Sequence, residues 1–259
     1  MNKLSSFLEL KGKGIFKEKM RYAFNRLKCV HTFIGNTLKE NTIADNGREF
    51  FHVRKHSIDL HIISGFYEYK VMKVFEKLAK DSKVIVDVGA NIGKYTILAG
   101  KTNPTAKVIA IEPEKENCKL LNKNIILNDL EISVIEEAVG NKEGEMKMYL
   151  NNINNRGHSL SEKFVNETKE RKKKYDSSIQ VKVNTLDNLF ESIDLLKIDI
   201  EGFELEVLEG SKRLLAEKKI KKMIIEIDDF NLESIKKLLN KYGYLINKIE
   251  DSNYLVELN

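Results

Sequence analysis

The short run Val84–Val88, apolar except for Asp87, leads directly into Gly89-Ala90-Asn91-Ile92-Gly93, and Lys94, Tyr95 and Thr96 open a stretch with helical spacing. A strand that turns through glycines into a helix is the building unit of open, mostly parallel α/β sheets. Its turn is also where such sheets bind nucleotides. The first N–H groups of the helix lack partners within it, and glycines let backbone and ligand approach closely. A second apolar run, Val108–Ile111, ends in Glu112, 19 residues beyond Gly93. A carboxylate at that spacing is placed to accept hydrogen bonds from both ribose hydroxyls. Together the two features are far more specific than either alone.

The turn also narrows the ligand. A dinucleotide fingerprint read from Gly89 requires glycine at positions 91 and 94, where this chain has Asn91 and Lys94. A phosphate-binding loop requires Gly-Lys-Ser/Thr, and Gly93-Lys94-Tyr95 does not supply it. A turn without a pyrophosphate cradle favours a ligand that has a ribose and no phosphates, and S-adenosylmethionine answers that description. Asp87, at the strand end, is then placed to hold the turn or to bind the methionine amino group, directly or through water.

The remaining pattern extends the sheet. Strands are expected around Val134–Val139, Gln180–Val183, Leu195–Ile200, Met223–Ile227, Tyr244–Ile249 and Tyr254–Leu258, alternating with helices at 115–128, 204–215 and up to Lys241. Such alternation implies an α/β fold with a mostly parallel sheet covered on both faces, and the last two runs read as an antiparallel hairpin at one edge. Residues 140–178, rich in Asn, Lys and Glu and including the charged run 169–174, fit the alternation poorly and read as a variable insertion and an acceptor loop. Ahead of the sheet lie two helical stretches, one at 67–80 and one carrying Phe16, Met20, Ala23, Phe24, Leu27 and Val30. The domain boundaries expected are a basic N-terminal helical extension over 1–63 and a catalytic domain over 64–259.

Two more acidic motifs sit at strand ends, Asp199-Ile200-Glu201-Gly202 and Glu226-Ile227-Asp228-Asp229. Neighbouring parallel strands open into one crevice, so Asp199, Glu201 and Glu226 are expected to converge beside the ligand. Their oxygen donors would also suit magnesium, although positioning, with no bound metal, is the role expected of them. Asp228 and Asp229 are expected only to cap a helix.

In order, VDVGANIGKYT, IEP, NTLDNL, LLKIDIEGFELEVLEG and IIEID resemble the FkbM-type S-adenosylmethionine-dependent methyltransferases over residues 64–228. The resemblance implies a class I methyltransferase (Rossmann-like) fold: a seven-stranded, mostly parallel sheet with one antiparallel edge strand and helices on both faces. It also implies O-methylation of a sugar, glycan or other small metabolite. Carried onto this chain, it makes Gly89, Asn91 and Gly93 the methionine-binding loop and Glu112 the ribose ligand. Glu137 and Ala138 would flank the adenine, and Glu68, in Gly65-Phe66-Tyr67-Glu68, would reach the methionine end. The segment 155–160 resembles a variable loop with a recurring Ser-Leu pair, which puts His158 and Ser159 on the acceptor side with Glu201 and Glu226.

A hydroxyl is a poor nucleophile, and a base that takes its proton assists methyl transfer. Asp199, which also lies beside the cofactor, is the first candidate and His158 the second. A nucleic-acid methyltransferase is the first alternative. Amino-directed base methylases carry an Asn/Asp-Pro-Pro-aromatic loop after this strand to stack a flipped base, and this chain has Asp199-Ile200-Glu201-Gly202 instead. Cytosine-directed enzymes need a cysteine nucleophile, and Cys118 falls on a helix away from the crevice. A non-catalytic adapter that keeps only the cofactor fold is the second alternative, and intact Glu112 and Asp199 weigh against it. Charge bears on partners as well. The chain carries a net +5, but residues 1–30 hold eight Lys or Arg against two Glu, so the remainder is close to neutral. That disfavours a long basic groove for nucleic acid and leaves the basic arm as the one route to it. The basic helix is expected to dock on the core with a solvated outer face, with contact of residues 1–30 with an anionic membrane surface as the alternative. With two cysteines, no membrane-spanning apolar run and no secretory leader, the expected location is cytoplasmic.

Overall fold

The computed structural model describes residues 41–55, 57–65, 67–151, 157–167, 175 and 177–259. The basic helix expected within 1–30 and its membrane contact, Asn155 and Arg156, and the charged run 169–174 lie outside the described residues. The described chain opens with an antiparallel pair, β1 (Thr42–Asp45) and β2 (Phe50–Val53), followed by the single turn α1 (Asp59–Ile62) and α2 (Tyr69–Ala79). Then come β3 (Val84–Val88), α3 (Lys94–Thr102), β4 (Lys107–Ile111), α4 (Lys115–Leu127) and β5 (Ser133–Ile135). Next are β6 (Ala138–Val139), β7 (Gly144–Leu150), α5 (Glu162–Asn166), β8 (Ser177–Asn184) and α6 (Leu186–Leu189). The chain closes with β9 (Ile193–Ile198), α7 (Glu204–Glu209), α8 (Lys212–Ala216), β10 (Ile220–Glu226), α9 (Asp229–Lys241), β11 (Tyr244–Glu250) and β12 (Asn253–Leu258).

The central sheet has seven strands in the order β11-β12-β10-β9-β3-β4-β5. Strands β10, β9, β3, β4 and β5 are mutually parallel, and β12 is antiparallel to both β10 and β11. The fold is therefore α/β, with a mixed, mostly parallel sheet of class I methyltransferase order. The closing hairpin lies at the sheet edge, and its reversed strand β12 sits one place in from that edge.

Strand periodicity explains why both faces are covered. Val86, Val88, Leu196, Ile198, Met223 and Ile225 point to one face, where they meet Leu186, Val207, Leu208, Leu214, Ile235 and Leu239 of α6 to α9. Their sequence neighbours Ile85, Leu195 and Ile224 point to the other, against Val71, Phe75 and Leu98 of α2 and α3. Beside this second layer, Phe51 and Val53 of β2 pack with Ile97, Leu121 and Ile125.

Two stretches differ from the sequence reading. Within the expected helical extension 1–63, residues 42–53 form the β1–β2 pair, because the alternation of Ala44, Phe51 and Val53 gives it one buried face against α4. Within the expected insertion, β7 and β8 pair in antiparallel register from Gly144–Val183 to Leu150–Ser177, and β6 runs parallel to β8. This three-stranded sheet has its own small core of Ala138, Met148, Val181 and Val183. The single strand expected over Val134–Val139 is accordingly split, with β5 in the large sheet and β6 in the small one. Among the described residues no helix is long and apolar enough to cross a membrane.

Candidate active site

Strand β3 leads to β4 on one side, while β9 enters the sheet on its other side, so the strand order reverses at β3. At such a point the loops leaving the carboxyl ends diverge and leave a crevice. Here it is a cleft of about 270 Å³ whose lining includes Asp87, Asn91, Glu112, Asp199, Glu201 and Glu226. The glycine turn closes its floor. Gly89 has φ +80°, and a Cβ there would lie 2.0 Å from the Asp199 carbonyl oxygen. Gly93, at φ +98°, would place a Cβ 2.6 Å from Leu121 Cδ1. The space these glycines leave is taken by the chain itself: Asp199 N–H donates to the Val88 carbonyl at 3.0 Å, which draws the end of β9 against the turn. Gly89 lines the cleft and Gly93 does not; Gly93, in the left-handed region, turns the chain into α3.

One end of the cleft is built around Glu112, just past β4. Its Oε2 accepts from Asn91 N–H at 2.8 Å, and its Oε1 accepts from Glu114 N–H at 3.1 Å and from Asn117 Nδ2 at 3.3 Å. Burial outweighs these donors and pushes its carboxyl up to about 7. Asn91 is held in the left-handed region at φ 50°, and its buried Oδ1 has no hydrogen-bond partner among the described residues. A carboxylate beside an unpartnered amide oxygen can take several hydroxyl or amino donors, as a ribose-bearing ligand would supply. Arg54 supports this end from behind. Its guanidinium pairs with the fully buried Asp59 at 3.0 Å and donates to Asn117 Oδ1 at 2.9 Å.

The other end gathers carboxylates around two buried lysines. Lys197 is register partner to Asp87 across β9 and β3 and has no exposed surface. Its Nζ lies 3.5 Å from Asp199 Oδ2. Burial alone would lower its pKa, but Asp199, Glu68, Glu226 and Asp87 together hold it above the ordinary lysine value. Asp87 is raised to about 6, chiefly by burial, although Thr96 Oγ1 donates to it at 2.6 Å. Lys94 donates to the Tyr67 carbonyl at 2.7 Å and lies 3.6 Å from Glu68 Oε2, while burial pulls it down to about 8. The Tyr95 hydroxyl donates to Glu68 at 2.8 Å. One oxygen of each of Glu68, Asp199 and Glu226 lies within 4.8 Å of the others. The positive charge among these carboxylates comes from Lys197 and Lys94.

The structure therefore brings together Glu68, Asp87, Gly89, Asn91, Glu112, Ala138, His158, Asp199, Glu201 and Glu226. Glu137 does not line the cleft; its carboxylate accepts from Asn184 Nδ2 at 3.2 Å. Ser159 does not line it either. Its hydroxyl donates to the Glu201 carbonyl at 2.6 Å and accepts from Ser161 N–H, which ties this segment to the loop after β9. His158 faces the cleft, but its Nδ1 accepts from Asn151 N–H at 3.0 Å, and burial lowers its pKa. The neutral ring then carries its proton on Nε2, which fits a hydrogen-bond donor rather than the base expected of it. Lys197, Lys94, Tyr67 and Tyr95 were not read from the sequence. A lysine in the middle of the buried run Leu195–Ile200 was the available signal for the first of them.

Comparison with known proteins gives a consistent picture. The Methyltransferase FkbM domain matches residues 87–254. A curated relative, Methyltransferase sdnD of Sordaria araneosa, is 32% identical over 153 residues, or 49% of this chain and 59% of that protein. Methyltransferase 1 of Beauveria bassiana is 25% identical over 154 residues, or 50% of this chain and 59% of its own length. The match thus spans about three fifths of each curated relative. Among solved structures, the SAM-dependent methyltransferase from Agrobacterium tumefaciens is similar with a TM-score of 0.49 and 10% identity, covering 85% of this chain and 70% of that one. The Pyrococcus abyssi tRNA (uracil-54, C5)-methyltransferase in complex with S-adenosyl-L-homocysteine has a TM-score of 0.49 and 13% identity, covering 84% and 44%.

Proposed function

The chain belongs to the FkbM methyltransferase family, and on that premise we propose that it is an S-adenosylmethionine-dependent O-methyltransferase acting on a hydroxyl of a sugar, glycan or other small metabolite. S-adenosylmethionine supplies a methyl carbon on a cationic sulfur, and its transfer to a hydroxyl breaks the carbon–sulfur bond, returns the electron pair to sulfur and releases one proton. The chain's residues divide the remaining tasks. Glu112 and Asn91 present acceptors for the ribose hydroxyls, and Ala138 and Val139 offer an apolar wall to the adenine. Glu68 and Asp87, which also line the cleft, would hold the methionine amino group.

The observation that carries the reading is the position of Asp199. It follows β9, faces the cleft with 30% of its side chain exposed, and has the Lys197 ammonium 3.5 Å from its Oδ2. It is therefore placed to accept the hydroxyl proton, and a positioned base contributes about 10²–10⁴-fold. The choice of acceptor is supported by charge. Glu68, Asp87, Asp199 and Glu201 outnumber Lys94, which lines this cleft, and Lys197, which is buried beside it, a surplus that suits a cationic cofactor with a neutral hydroxyl and disfavours a phosphorylated acceptor.

Calorimetry with S-adenosylmethionine, combined with a labelled-methyl screen of glycan, lipid, protein and nucleic-acid fractions from cell extract, tests both parts. Glu112→Ala removes two charge-assisted bonds of about 1.5–3 kcal/mol each, so binding should weaken by roughly 100-fold or more. Asp199→Asn should keep binding within a few-fold and lose at least 100-fold in transfer. A wild type that binds no cofactor refutes the enzyme reading, and label confined to nucleic acid refutes the acceptor.

A further inference from the structure

Asp199 and Glu226 leave the sheet side by side. They follow or end the parallel neighbours β9 and β10, whose register pairs Ile198 with Ile225. One oxygen of each carboxyl lies within 4.8 Å of the other. Two carboxyls this close in a partly buried site do not both ionise near neutrality, so one of them carries a proton, and only the protonated one can donate to the other. The surroundings decide which. Asp199 has the Lys197 ammonium 3.5 Å from its Oδ2 and an open face toward the cleft, and both favour its anion. Glu226 is more enclosed, with Oε1 fixed by the Ser252 hydroxyl at 2.7 Å, and it feels the negative charges of both Asp199 and Glu68. The other charges at this end are Asp87 of β3 and Lys94 of α3, with the Tyr95 hydroxyl engaged on Glu68.

We propose that Asp199 and Glu226 hold one proton between them, and that Glu226 is a positioning residue which donates this proton in a hydrogen bond to Asp199 and so keeps Asp199 ionised, with one oxygen left for the acceptor. The inference rests on the reading of Asp199 as the base and adds to it a group that never touches the acceptor. Repulsion from Asp199, followed by burial, keeps the Glu226 carboxyl protonated well above the ordinary carboxylate range, in agreement with the geometry. The arrangement follows a general rule: two carboxyls in one site do not both ionise near neutrality, and their proton losses belong to the pair.

Carbon-13 NMR of the ligand-free protein, labelled at the Asp and Glu side-chain carboxyls and titrated from pH 5 to 9, tests the shared proton in wild type, E226Q and E226L. At pH 7 the wild-type Glu226 resonance should lie at the protonated position and be absent from E226Q. The amide of E226Q still donates to Asp199 and leucine cannot, so the Asp199 midpoint in E226L should lie at least one pH unit above that in E226Q. Labelled-methyl transfer into cell extract should fall at least tenfold in E226L and by less in E226Q. An ionised Glu226 at pH 7 in the wild type, or equal Asp199 midpoints in the two variants, overturns the proposal. The spectra need no cofactor. A wild type that binds no S-adenosylmethionine would instead overturn the base reading and the role given to Glu226, while the shared proton would still be read directly.

Discussion

At the scale of single residues, the cleft keeps ionisable groups under tension that a ligand can relieve. Glu112 sits at about 7 because burial disfavours its charge, although three N–H groups point at it. Hydroxyl donors from a ribose favour the ionised form and lower that value, so binding must expel the proton that Glu112 holds below pH 7. S-adenosylhomocysteine binding at pH 6 should therefore release close to one proton, measured as a difference in binding heat between buffers of different ionisation enthalpy. Affinity should rise by up to tenfold per pH unit toward 7 and then level off. Glu112→Gln should abolish the release, and buffer-independent heats in the wild type would refute the assignment. The position of Glu112 was legible in the sequence because spacing along a strand–helix unit is a local property. The burial that sets its proton affinity was not, since it depends on Arg54 and Asp59 arriving from more than 50 residues upstream and on Asn117 from the next helix.

At the scale of elements, the loop that follows β9 is shaped by a buried acid. Glu204, at the start of α7, accepts from Gly202 N–H at 2.7 Å, while its buried Oε2 has no hydrogen-bond partner among the described residues. Burial raises its carboxyl to about 8. The native state thus keeps a proton that the unfolded chain has already lost above about 4.5, and stability falls as pH rises from there to about 8. Glu204→Gln stays neutral throughout. Its melting temperature should fall less than that of the wild type between pH 5 and 8, and the two proteins should approach or cross at the alkaline end. Parallel pH profiles would show that Glu204 is ionised in the fold. The same loop shows how much of the architecture could be read in advance. Strong apolar runs such as Leu195–Ile200 and Met223–Ile227 announced β9 and β10 because both faces of these strands are buried. The pair β1–β2 and the strand β7 were missed, while β8 was expected over Gln180–Val183; each missed element buries one face and carries its signal on every second residue, as with Met146, Met148 and Leu150 interleaved with Lys147 and Tyr149. The roles of Gly89 and Gly93 were read as ligand approach, yet the neighbouring chain occupies that space, and no sequence pattern distinguishes the two uses.

At the scale of the whole molecule, the walls of the cleft come from segments far apart in the chain. Residues 87–91, 112–113, 117 and 199–201 line it, the small sheet adds Ala138 and Met148, and Ile62, Tyr67 and Glu68 join them from upstream of residue 87, where the family match begins. The N-terminal part of the described chain is also tied to the Glu112 end through Arg54 and Asn117. A ligand seated between these segments would act as a strut, so that occupancy stiffens regions that share no secondary structure with the glycine turn. Hydrogen exchange followed by mass spectrometry should show slower exchange on adding S-adenosylhomocysteine in peptides covering 59–69 as well as 87–93. Protection confined to 87–113 would mean that the upstream wall stands apart from the ligand. If the strut exists, the upstream segment is better protected from proteases when the cleft is filled than when it is empty.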